Sequence, residues 1–69
     1  MMNKIQAIIK ASVLDSNSKY QAMSEAVLER ETAALAKMTL AEMESLQGMG
    51  ADRHEAQTEA LKTILKHQA

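Results

Sequence analysis

The sequence predicts an all-α fold: a small helical bundle of three to four helices in a single domain that covers residues 1–69. Ala, Leu, Met, Glu, Gln and Lys dominate the chain, and these are strong helix formers. Aromatic residues make up only 1% of the chain, whereas strands favour aromatic and β-branched side chains. Apolar residues also recur at the three- and four-residue spacing of a helix face. Composition and periodicity therefore agree on helices without a sheet.

Four capping-box patterns indicate where the helices start. In this pattern a polar cap residue is followed three residues later by Glu or Gln, and each side chain bonds the other's free backbone N–H. The pairs are Asn3 with Gln6, Ser18 with Gln21, Thr39 with Glu42, and Asp52 with Glu55. Together with the apolar stripes, they predict helices at about 4–14, 19–38, 40–47 and 53–68.

The first helix is predicted from an apolar stripe that a polar turn follows. The stripe consists of Ile5, Ile8, Ile9 and Val13, which share one helix face. Residues 15–18 are Asp, Ser, Asn and Ser, whose side chains compete with a helix for backbone hydrogen bonds. We therefore expect the first helix to end before this turn.

The middle of the chain carries two stripes that lie on different faces. The second stripe is Tyr20, Met23, Val27, Ala34, Leu35 and Met38, and the third is Leu40, Met43 and Leu46. Leu40 lies about 160° around a helix from Met38. Either the helix breaks at Thr39, or residues 19–47 form one long helix that changes the face it buries. Both alternatives stay open at the level of the sequence.

The last helix is predicted to follow a glycine turn. Gly48, Met49 and Gly50 interrupt the apolar pattern, and glycine accepts a positive φ without steric cost, so we expect the preceding helix to end at Gly48. The stripe of the last helix is Ala60, Leu61, Ile64 and Leu65.

A chain of this size is expected to need a partner for a stable core. A domain of 60 residues buries only about 60% of the surface that its unfolded chain exposes. Such domains usually depend on a disulfide, a metal or a second chain, and this sequence contains no cysteine. We therefore expect self-association, most simply as a homodimer. The predicted interface residues are Tyr20, Met23, Val27, Glu31, Leu35, Met38, Leu40, Met43 and Leu46.

Glu31 is the charged residue at the centre of the second stripe. A charge is rarely left unpaired in a dry interface. Glu31 could lie where the helix is exposed, pair with a cation of another helix, or receive a cation of a partner. We favour the pairing role, because a polar residue in a helical seam can fix register and oligomeric state.

The residue pattern does not favour an enzyme. His54 and His67 would lie about 19 Å apart on one straight helix, too far to share a metal. The pairs of glutamates at four-residue spacing are typical of solvated helix surface. We therefore expect no catalytic residues, no metal site and no cofactor.

Nucleic-acid binding is the main competing interpretation. Residues 40–47, the glycine turn and residues 53–68 have the outline of a helix-turn-helix. The basic and acidic side chains of the last helix cancel, and the isoelectric point is near 6.1, whereas DNA affinity comes largely from cations on one face. No stretch approaches the ~20 apolar residues of a membrane span, so we expect no membrane partner and a cytoplasmic location.

The sequence therefore predicts a small non-enzymatic helical interaction protein that self-associates and binds another protein. The binding surface would be the apolar Met- and Leu-rich helix face, in the manner of an adaptor, regulator, inhibitor or co-chaperone. A helix-turn-helix nucleic-acid regulator is the first alternative, and a small structural subunit of a larger assembly is the second.

Overall fold

The computed structural model describes residues 4–66, and within them it contains four helices and no strand. The helices are α1 (Lys4–Ser16), α2 (Ser18–Gln21), α3 (Glu25–Gly48) and α4 (Arg53–Lys66). The predicted all-α fold is confirmed. Two details of the prediction, the cap at Asn3 and the end of the last helix at residues 67–68, lie outside the described residues.

The middle of the chain breaks near residues 22–24 and not at Thr39. Asn17 caps the short helix α2, and its side-chain oxygen accepts a hydrogen bond from the backbone N–H of Lys19 at 3.0 Å. Ser24 caps α3, and its hydroxyl accepts from the N–H of Val27 at 3.4 Å. The predicted break between helices 19–38 and 40–47 is therefore wrong. The single-helix alternative is right beyond residue 25, although its start at residue 19 is not.

Thr39 misled the prediction because its hydroxyl is used inside the helix. The Thr39 side chain is fully buried, and its hydroxyl donates to the carbonyl of Leu35 at 2.8 Å, one turn back. Ser and Thr hydroxyls make this bond inside helices as well as bonds that cap a helix start. A threonine in the sequence therefore fits either position. Leu40, which seemed to start a new buried face, is instead 44% exposed. The apparent change of face therefore reflects one solvent-facing leucine.

The turn between α3 and α4 has the geometry of a Schellman motif. Gly50 adopts the left-handed conformation with φ of 107°, and its N–H donates to the carbonyl of Gln47 at 3.1 Å. The N–H of Ala51 donates to the carbonyl of Leu46, also at 3.1 Å. The left-handed residue is therefore Gly50, and Gly48 is the last residue of α3. A side-chain oxygen of Asp52 accepts from the N–H of Glu55 at 2.8 Å, so the predicted cap of α4 is confirmed.

α3 is the central element of the fold. It packs against α1 and against α4, whereas α1 and α4 touch each other only slightly. The Cα atoms span 39 × 25 × 14 Å, and the 24 residues of α3 form a helix about 36 Å long, close to the longest of these dimensions. The buried apolar residues are Ile5, Ile9, Val13, Tyr20, Leu28, Leu35, Ala36, Met43, Ala56, Ala60 and Ile64. Because both neighbours pack on α3, the rest of its surface faces solvent.

Candidate interaction surface

The predicted interface residues divide between the core and the surface of the single chain. Tyr20, Leu35 and Met43 are buried in the core of one chain, so their side chains are not available to a partner in this conformation. Met23 and Leu46 are half-buried and pack against the same core. These five residues therefore belong to the packing of the single chain.

The other four predicted residues lie at the surface of α3. Val27 is half-buried, Glu31 is exposed, and Met38 is 53% exposed. These three share one side of the helix, because they are separated by four and seven residues. Leu40 is also exposed, but on the opposite side. A partner that covers Met38 along the helix therefore does not also cover Leu40.

Small residues fill the positions between these side chains. The resulting outer stripe of α3 consists of Val27, Glu31, Ala34, Met38, Ala41 and Ser45. Its members follow one another at intervals of four, three, four, three and four residues, which is the spacing of a heptad seam. Every member except Val27 is exposed. The sequence prediction identified its large members and placed Ala34 on the same stripe, but it missed Ala41 and Ser45, although the spacing was sufficient to find them.

Glu31 points to solvent on this stripe. Within residues 4–66, its carboxylate has no ion pair or hydrogen bond, so the pairing role is not met inside the single chain. Its charge does act on Tyr20: burial of the ring raises the pKa of Tyr20 above the ordinary 10.0, and the charge of Glu31 adds to the rise. Glu31 is therefore close enough to Tyr20 for its charge to act on the phenol.

A second group of polar side chains joins α1 to α3. The buried amide of Gln6 donates to the backbone carbonyl of Glu29 at 3.1 Å, to a carboxylate oxygen of Glu29 at 3.2 Å, and to the hydroxyl of Thr32 at 3.2 Å. The Thr32 hydroxyl in turn donates to the carbonyl of Leu28. The sequence analysis missed Gln6 as a core residue. The signal was its three- and seven-residue separation from Ile9 and Val13, which places it on their face.

Lys10 completes this group. Its Nζ lies 2.7 Å from a carboxylate oxygen of Glu29, and both side chains are partly exposed. The hydrogen bond to Glu29 raises the pKa of Lys10 above its ordinary value, with smaller contributions from the charges of Glu29 and Glu25, while desolvation opposes the rise. The group fixes the position of α1 along α3. The hydrogen bonds of this group join α1 to α3 of the same chain, so the group stabilises the fold and does not form a binding pocket.

In the part of the chain that the structure describes, no three His, Asp or Glu side chains converge on a position where they could hold a metal. None of the helices in residues 4–66 combines the length and apolar character needed to cross a bilayer.

Comparison with known proteins returns no relative: no protein-family model, curated protein or solved structure matches the chain.

Proposed function

We propose that this chain is a non-enzymatic interaction protein that self-associates and binds another protein through the outer stripe of α3. The observation that carries the proposal is the exposure of Met38 on a helix whose other large apolar side chains mostly pack into the core. Met38 projects from a row of alanine and serine, so a partner can approach the helix closely on both sides of it.

The chemistry of the stripe favours a protein over a nucleic acid. Methionine is flexible and polarisable, and it adapts to several apolar partner shapes. The stripe contains no cation, and its one charged residue is the acidic Glu31, which would repel a phosphate backbone. The proposal includes a cytoplasmic setting, which suits a fold that depends on no disulfide.

The test compares two exposed apolar residues on the same helix. Met38→Glu and Leu40→Glu each place one carboxylate on the surface of α3, but on opposite sides. We expect Met38→Glu to abolish self-association, measured by light scattering, and to abolish capture of a protein partner from the native host. We expect Leu40→Glu to leave both intact and thereby to serve as the matched control.

Three results would contradict the proposal. The first is equal loss of binding in both variants, and the second is no loss in either. The third is micromolar retention on duplex DNA that weakens steeply with added salt, because that salt dependence reports phosphate contacts and favours the helix-turn-helix alternative.

A further inference from the structure

The outer stripe of α3 is complementary in shape to a reversed copy of itself. We propose that it pairs with the same stripe of a second copy in an antiparallel arrangement, with Val27 of each chain facing Ser45 of the other. This inference rests on the proposed function, since it specifies the partner with which the stripe self-associates.

Shape complementarity carries the first step. The stripe alternates between two heptad positions: Val27, Ala34 and Ala41 occupy one, and Glu31, Met38 and Ser45 occupy the other. In an antiparallel pair, each layer of the seam joins a residue of one kind with a residue of the other kind. When the two-fold axis of the pair lies level with residue 36, the layers are Val27 with Ser45, Glu31 with Ala41, and Met38 with Ala34. Every large side chain then faces a small one.

A parallel pair lacks this complementarity. Each residue would then face its own copy, so Met38 would meet Met38 while the neighbouring layers joined alanine to alanine. The wide layer would hold the helices apart and leave the alanine layers poorly filled, which forfeits packing contacts. Glu31 would also face Glu31 across the seam, and two desolvated like charges are strongly unfavourable. The antiparallel register separates the two Glu31 carboxylates by about 15 Å along the helices, and each of them lies opposite Ala41, whose small side chain leaves room for the carboxylate to stay hydrated at the margin of the seam.

Charges along one edge of the stripe support the same register. Arg30 and Glu44 are both exposed and lie on the same edge, each one residue before a member of the stripe. In the antiparallel register Arg30 of one copy lies within one helical turn of the level of Glu44 of the other, and the symmetry repeats this pair at the opposite end. Lys37 lies near the centre of this edge, about 3 Å along the axis from its own copy, so this exposed and flexible side chain has to turn toward solvent in the pair.

The ends of the stripe are also matched. Met49 caps α3, continues along the same side, and is 75% exposed. At the same end of the proposed pair the second copy has Met23, a half-buried residue beside the core that precedes α3. An apolar side chain that one chain leaves in solvent therefore lies at the end of the pair where the other chain has an apolar residue.

Engineered disulfides can measure the register directly, because the chain has no native cysteine. Two single variants, Val27→Cys and Ser45→Cys, are mixed under reducing conditions and then oxidised. In the proposed register the two cysteines face one another, and a disulfide needs Cα atoms within about 7 Å. The two copies of residue 27 would lie about 27 Å apart along the helices, as would the two copies of residue 45.

We expect the mixture to yield the Val27–Ser45 cross-linked product as its main covalent species. Each variant oxidised alone should give little covalent dimer. The matched control mixes Val27→Cys with Leu40→Cys, which lies on the opposite side of the helix and should not cross-link.

Efficient cross-linking of Val27→Cys to itself would establish a parallel pair and overturn the register. A dimer by light scattering that gives no cross-link would show that the stripe is not in the contact, and a monomer would show that there is no pair. Each of these results overturns the inference. The binding of another protein, which is the second part of the proposed function, stands separately if Met38→Glu still abolishes capture of a different protein while Leu40→Glu does not.

Discussion

The two helix contacts of this fold are stabilised in different ways. α1 is joined to α3 by a buried amide, a threonine hydroxyl and a lysine–glutamate pair, in addition to its apolar residues. α4 contributes mainly alanine at its buried positions, and Ala56 and Ala60 are fully buried. Helix axes approach more closely where the contacting side chains are small. Hydrogen bonds therefore fix the position of α1 on α3, and the close fit of small side chains fixes the position of α4 on α3.

This difference has a practical meaning for substitutions. A hydrogen-bonded contact loses stability when a partner is deleted, and it tolerates an apolar side chain of the same shape only where the remaining partner keeps another hydrogen bond. A close-packed contact loses most when a side chain is enlarged. Truncation of a side chain should therefore be most harmful in the α1–α3 contact, whereas enlargement of a side chain should be most harmful in the α3–α4 contact.

The largest effect is expected for Ala60→Leu in the α3–α4 contact. Ala60 has no exposed surface, so the added atoms have no space and the helices must separate, at a cost of about 3 kcal/mol. Ala33→Leu adds the same atoms at an exposed position of α3 and should change the free energy of unfolding by less than ~0.5 kcal/mol. Urea unfolding followed by circular dichroism compares them. Equal costs would show that the close fit is not a property of this contact.

The next effect is expected at Gln6 in the α1–α3 contact. Gln6→Ala removes three hydrogen-bond interactions and leaves a cavity, which should cost about 2 kcal/mol. Gln6→Met keeps the shape without the amide, and Thr32 still bonds to Leu28, so the cost should stay below ~1 kcal/mol. The same urea experiment measures both variants. If Gln6→Met were as harmful as Gln6→Ala, the hydrogen bonds would matter more than the volume.

A smaller effect separates two buried threonines of the same helix. Thr32 and Thr39 are both fully buried, and each hydroxyl donates to a carbonyl one turn back. Only Thr32 also accepts a hydrogen bond from Gln6. Thr32→Val should therefore cost about 1 kcal/mol more than Thr39→Val, as measured by the shift in the midpoint of urea unfolding. A larger cost for Thr39→Val would show that the hydrogen bond from Gln6 to Thr32 does not stabilise the α1–α3 contact.

The smallest effect is a change of stability at alkaline pH, on the α1 side of the molecule. The pKa values of Lys10 and Tyr20 are both raised in the folded chain, so the folded state holds these protons more tightly. Their contribution is complete below the ordinary values of 10.5 and 10.0, and it is lost as the pH rises through the raised values. We therefore expect the free energy of unfolding to decrease above about pH 10.

Tyr20 gives a direct measurement, because it is the only tyrosine and the chain has no tryptophan. Its tyrosinate absorbance should appear at higher pH in the folded chain than in denaturant. Glu31→Gln should bring the folded midpoint down without reaching the unfolded one, because burial is the larger cause of the raised pKa. An unchanged midpoint in Glu31→Gln would show that the carboxylate does not act on the phenol.

Much of the fold could be predicted from the sequence because its signals are local. The cap at Asp52 and the apolar faces of α1 and α4 depend on residues within a turn or two of one another. The continuity of α3 through Thr39 could not be predicted in the same way. A threonine followed by glutamate three residues later fits both a cap and a buried helix position, and only the packing of α1 and α4 decides between them.

The candidate surface was predicted less completely for a related reason. Leu35 and Met38 lie only three residues apart, and the sequence places them on one apolar stripe. In the structure Leu35 packs into the core while Met38 faces solvent, because the two helices that pack on α3 cover only part of its circumference. The boundary between the covered and the exposed side of α3 depends on how α1 and α4 pack, and the spacing of apolar residues along one helix carries no information about that packing.

The Schellman turn at Gly50 has a consequence for the order in which the chain folds. It reverses the chain within four residues, so α3 and α4 meet after closing only a short loop, and short loops cost little entropy. Such sequence-local contacts favour refolding within microseconds to milliseconds. The α3–α4 hairpin is therefore expected to form first and to provide the template on which α1 docks, with the Gln6 hydrogen bonds made last.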